Sequence, residues 1–69
     1  PLAVHPHPVR DLFSLESVHP QATWSLSDAK GRLVLQGMGP TGNACALSPG
    51  MYVLRVNETH EAIPVWVAR

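Results

Sequence analysis

The chain is 69 residues long, with five basic and five acidic side chains and a single cysteine. That length makes one domain. Such a domain buries only about 60% of the surface its unfolded chain exposes, and with Cys45 alone no internal disulfide can reinforce it. Arg10, Lys30, Arg32, Arg55 and Arg69 are scattered, which argues against nucleic acid as a partner, and no run approaches the roughly 20 apolar residues of a membrane span.

Leu2-Ala3-Val4-His5 is a short strand stopped by Pro6, and Leu12-Phe13-Ser14-Leu15 is another. Ala22 to Asp28 alternates, with Trp24 and Leu26 on one face and Thr23, Ser25 and Ser27 on the other. The Asp28–Gly31 turn, with Gly31 left-handed, leads back into Arg32-Leu33-Val34-Leu35-Gln36 as a hairpin. Gly37 to Gly42 reads as a flexible loop, and Ala44 to Leu47 as a possible strand. After Pro49-Gly50 comes the most strand-like segment, Met51 to Val56. It is apolar on both faces, which suits a strand covered on both sides or one near the centre. Asn57-Glu58-Thr59 matches a glycosylation pattern, but Asn57 is read as a turn residue bonding its own backbone. Ala62 to Ala68 closes the series, with Ile63, Val65 and Val67 on one face. Pro64 lacks an N–H and marks an edge strand or a strand end.

The short spacing of Pro and Gly leaves no room for ordinary helices. The expected fold is all-β: a small seven-stranded antiparallel sandwich of Greek-key, immunoglobulin-like form, with a partly open barrel as the runner-up. Its core should take Phe13, Trp24, Leu26, Leu33 or Leu35, Tyr52 or Val53, and Val65 or Trp66. Edges at residues 2–5 and at the Pro64 strand suggest a dimer or a domain-swapped form at high concentration.

No catalytic cluster stands out. His5 and His7 share a strand face, and His19, His60 and Cys45 complete a metal set only in principle. Cys45, between Ala44 and Ala46, reads as a small buried hydrophobe. There is no Gly-x-Ser-x-Gly elbow, Cys-x-x-Cys pair or phosphate-binding glycine loop, so neither an enzyme nor a cofactor is expected. No N-terminal stretch has the form of a secretory signal peptide. Strand-like segments close to both ends, with no long polar tail, suggest a piece cut from a larger protein at its N-terminus, whose address, if it is exported, lies upstream or in this domain.

Three stretches carry a resemblance: Val4-His5-Pro6-His7-Pro8-Val9-Arg10-Asp11, Ser27-Asp28-Ala29-Lys30-Gly31-Arg32-Leu33-Val34, and Leu47-Ser48-Pro49-Gly50-Met51-Tyr52-Val53-Leu54-Arg55-Val56. In order and total length the chain resembles the C-terminal sorting domain of proteins exported by the type IX secretion system of Bacteroidetes. The matching positions are Pro6, Pro8 and Asp11, then Asp28, Gly31 and Arg32, then Gly50 and Tyr52. The closing strand is Val65 to Arg69, in which Val65, Val67 and Arg69 are recognition candidates. His5 and His7 depart from the aromatic residue and asparagine that the family prefers. The resemblance implies a seven-stranded sandwich without an active site of its own. Secretion or outer-membrane proteins would recognise it, in transit through the periplasm to the outer membrane or cell surface. The rival expectation is an accessory sandwich of an extracellular enzyme that stabilises it or binds carbohydrate.

Overall fold

A computed structural model describes residues 2–16 and 18–68. It is all-β. Seven strands run β1 (Ala3–His5), β2 (Leu12–Glu16), β3 (Thr23–Asp28), β4 (Leu33–Met38), β5 (Thr41–Asn43), β6 (Gly50–Val56) and β7 (Ala62–Val67). They form a three-stranded sheet, β1-β2-β5, and a four-stranded sheet, β4-β3-β6-β7, with every named pair antiparallel. The sandwich expectation holds. The chain changes sheet between β2 and β3, between β4 and β5, and again between β5 and β6.

Alternation sets which side chains face inward. Val4, Phe13, Leu15, Trp24, Leu26, Tyr52, Leu54, Val56, Val65 and Val67 are buried between the sheets, joined by Leu2, Val9, Ala22 and Ala44. The expected core is therefore present, with Leu35 rather than Leu33 and Tyr52 rather than Val53. Ile63 packs against it partly buried. Phe13 of one sheet meets Trp24 of the other edge to face, ring centroids 5.4 Å apart, and the Trp24 Nε1–H donates to the Gly39 carbonyl at 3.1 Å. An indole this deep keeps its one polar atom satisfied.

Four readings from sequence are corrected. The glycine-rich 37–42 segment is not a flexible loop: Gly37 ends up inside β4 and Gly42 inside β5. A Cβ on Gly42 would collide with the Phe13 ring and lie 2.7 Å from Trp24 Cζ2, so glycine there makes room for the aromatic pair. The strand expected at Ala44–Leu47 lies earlier, at Thr41–Asn43, and residues 44–47 turn. With that shift Ala44 takes the buried position and Cys45 is exposed. Finally, β6 is interior by hydrogen bonding, between β3 and β7, but only Tyr52, Leu54 and Val56 are buried. Its other face, with Met51 and Arg55, is exposed.

Candidate recognition surface

The three stretches that carry the resemblance have different structural roles. The Asp28–Arg32 turn is self-contained. Asp28 Oδ1 accepts from the backbone N–H groups of Lys30 and Arg32, each at 2.9 Å, and Oδ2 accepts from Arg32 Nε at 3.2 Å. Gly31 has φ +87°, as expected for the left-handed position, and donates its N–H to the Asp28 carbonyl at 2.9 Å. The bonds to its carboxylate, led by the Arg32 backbone N–H, hold the Asp28 carboxyl below its ordinary range against an opposing desolvation effect. Asp28, Gly31 and Arg32 thus build the β3–β4 hairpin from its own atoms.

Gly50 and Tyr52 begin β6. The Tyr52 hydroxyl donates back to the Ser48 carbonyl at 2.6 Å, tying the turn before β6 to the strand itself. Tyr52 pairs with Val65 and Gly50 with Val67, so the aligned candidates of the third stretch and the closing strand are direct neighbours. Val65 and Val67 are 3% and 2% exposed, on the core side as the alternation requires. Arg69 lies outside the described residues.

The first stretch lands on the last strand. Val9 bridges to Val67 in parallel: its N–H donates to the Trp66 carbonyl at 2.7 Å, and its carbonyl accepts from Ala68 N–H at 2.8 Å. The Trp66 N–H donates to His7 Nε2 at 3.3 Å. Pro6 and Pro8 are exposed, each following a cis peptide bond, and they carry His7 and fully buried Val9 onto the β7 edge. Pro64 shares the outward parity of Trp66 and Ala68, so its missing N–H costs the sheet nothing, as the edge-strand expectation requires. Asp11, exposed, accepts from Ala44 N–H through its carbonyl at 2.7 Å and helps fix the turn after β5. Val9 was only one letter of the proline stretch in the sequence. A lone valine between a proline and an arginine has no periodicity to mark it, so its role as the anchor was not legible.

Trp66 itself is half exposed, at 51%. With His7, Pro8, Val67 and Ala68 it lines an apolar cleft of about 350 Å³. On the same outer face Met51 stands opposite Trp66, Val53 opposite Pro64, and Ser27 separates Val53 from Leu33. Leu33 and Met51 are 56% and 42% exposed, so exposed apolar side chains run across this face of the four-stranded sheet, alongside Ser25, Ser27 and Arg55. A larger groove of about 580 Å³ runs over the other sheet, between His5, Pro6, Leu12 and Asn43.

The histidines do not converge. Among the described residues no three His, Cys, Asp or Glu side chains are placed to hold a metal, so the set drawn from His5, His7, His19, His60 and Cys45 is not assembled. His5 Nε2 instead lies 3.2 Å from Glu16 Oε1 at the solvent surface. Asn57 is a turn residue, but its amide donates across to Thr23 Oγ1 at 3.0 Å rather than to its own backbone. Glu58 completes that clasp, accepting from Thr23 N–H at 2.9 Å and Thr23 Oγ1 at 3.0 Å, which holds its carboxyl below the usual range. No helix among the described residues is long and apolar enough to cross a membrane. No protein family, no curated protein and no solved structure matches the chain.

Proposed function

We propose that this chain is a non-catalytic recognition module, which directs or retains its parent protein at the outer membrane or cell surface through a type IX secretion apparatus. The reading rests on the resemblance of the three stretches. The observation that supports it best is the junction of the first stretch with the closing strand. There His7, Pro8 and Trp66 offer a half-exposed aromatic in an apolar cleft, held by main-chain bonds to Val9. A large aromatic in a rigid setting is the kind of group that anchors a protein interface.

The geometry also favours one way of being read. Val65 and Val67 serve the core and the β7 edge is occupied by Val9, so a partner meets the folded surface at Trp66 rather than the free strand. The test is Trp66→Ala in the parent protein in a secreting cell, with the thermal stability of the isolated domain measured alongside. Export or surface retention is expected to fall while cooperative melting persists. Unchanged export with Trp66→Ala and with the whole domain deleted would overturn the sorting role.

Exposed Trp66 equally suits the rival reading, an accessory module that stacks a sugar ring on its indole. Loss of oligosaccharide binding on Trp66→Ala, with export intact, would favour that function instead.

A further inference from the structure

Two open sheets leave four edge strands, β1, β5, β4 and β7. Natural sandwiches protect such edges by shortness, proline, charge or a covering segment. β1 and β5 have three residues each, β1 running into Pro6 and β5 following Pro40. β7 carries Pro64, and residues 7–9 occupy its outward N–H groups at Trp66 and Ala68. The two edges expected from sequence to associate are thus the blunted ones.

β4 is different. It has six residues, no proline and no charge, and Met38 at its end is 64% exposed. The hydrogen-bond parity of β3–β4 says which of its groups face outward. Gly39 N–H donates to the Ala22 carbonyl, in the same register that pairs Trp24 with Gly37 and Thr23 with Met38. Antiparallel ladders alternate, so the N–H and C=O groups of Gln36 and Met38 point away from β3. They meet no partner among the described residues.

We propose that β4 is a dimerisation edge, on which two copies of the chain pair residues 36–38 antiparallel about a two-fold axis at Gly37. This does not depend on the sorting role. Gln36 then lies opposite the second copy's Met38, and each such pair exchanges two N–H···O=C bonds. Those residues share the outer face, whereas Gly37 on the inner face brings no side chain to the axis. The pairing ends at Met38, because Gly39 turns with φ +87° and the Pro40 carbonyl accepts from Leu15 N–H of the other sheet. Charge is compatible as well. No charged residue occurs between Arg32 and Arg55 in the sequence, so a second copy brings no like charges into the seam. An isologous contact of this kind closes on itself and leaves β7 as the outer edge at both ends.

Sedimentation equilibrium from micromolar to millimolar protein, with hydrogen exchange at both extremes, tests the proposal. The mass is expected to rise toward twice that of the chain, with the Gln36 and Met38 amides exchanging slowly only at high concentration. Gln36→Pro removes an outward N–H without touching the β3 ladder, and should weaken self-affinity roughly tenfold or more. Met38→Lys, which adds a cation to the edge, should act in the same direction and decides the matter if the proline variant does not fold. Trp66→Lys, on the far edge, should leave the dimer intact. A monomer at millimolar concentration overturns the proposal. So does a dimer that survives both β4 variants with the Gln36 and Met38 amides still exchanging fast, which would point to a swapped form or another face.

Discussion

Two glycines illustrate how one residue type serves opposite ends. At Gly31 a Cβ would meet nothing within 4 Å, but φ is +87°, so the requirement is conformational. At Gly42 the backbone is ordinary, and the requirement is space beside Phe13 and Trp24. Gly31→Ala is therefore expected to cost about 1–2 kcal/mol through the left-handed backbone alone. Gly42→Ala overpacks the aromatic pair and is expected to cost about 1–3 kcal/mol, with loss of the Phe13–Trp24 ring geometry. Urea unfolding measures both, and aromatic chemical shifts separate them: only Gly42→Ala should move the Phe13 and Trp24 resonances. Gly31 was legible because a turn glycine has a local pattern. Gly42 was not, because the rings it accommodates come from other strands. The carboxylates make a further residue-scale prediction. Asp28 and Glu58 are held below their ordinary pKa, chiefly by backbone N–H bonds from Arg32 and Thr23 respectively. A folded-state pKa below the unfolded one adds stability above the ordinary carboxylate range, and that stability is lost as pH falls through the lower, folded value. Thermal melts should therefore show the midpoint dropping on acidification below the ordinary carboxylate range. Asp28→Asn and Glu58→Gln should each lower the neutral-pH midpoint and flatten the acid limb. An unchanged acid limb in the double variant would show that these carboxylates are not its source.

The strands themselves were largely readable. β2, β3, β6 and β7 alternate or are dense in branched and aromatic residues, and their inward faces follow from periodicity. The failures cluster in residues 37–47, where the chain leaves one sheet for the other. There β5 has only three residues, Thr41-Gly42-Asn43, of which Thr41 favours strands but Gly42 and Asn43 do not. It exists because β2 supplies the opposite ladder, pairing Phe13 with Gly42, and no local pattern encodes a partner 29 positions away (42 − 13). The contact between Val9 and β7 is likewise nonlocal. It is expected to hold the β7 edge closed: Val9→Ala removes two methyls from a fully buried site and should cost about 2 kcal/mol. Amide exchange at Val9 and Ala68 should accelerate more than at Leu26 or Leu54. Uniform acceleration across all four would mean that Val9 contributes only to global stability, and that the edge is not a local unit.

At the scale of the whole molecule, the radius of gyration is 10.6 Å, against about 11 Å for a compact chain of this length. The chain is thus folded tightly into two thin sheets, yet a domain this small has only about 3–10 kcal/mol of total stability. Its core is one layer of side chains shared by both sheets, and Leu26 and Leu54 sit at its middle, 1% and 0% exposed. They are direct neighbours, paired across the two central strands β3 and β6. No disulfide supplements this layer, since Cys45 is a single exposed thiol. Truncating either leucine should therefore act on the entire fold. Leu54→Ala is expected to cost about 3–5 kcal/mol, a loss comparable with all the stability available. The isolated domain should then be largely unfolded at ambient temperature, seen as loss of the β-type circular dichroism and of dispersed amide resonances. Raising protein concentration should recover part of the fold through β4 pairing, because association that occurs only in the native state adds to its stability by mass action. A Leu54→Ala variant that refolds on concentration, and fails to do so once Gln36→Pro is added, would tie the thin core to the open edge. Concentration-independent unfolding of Leu54→Ala would show that the core alone sets the stability of this module.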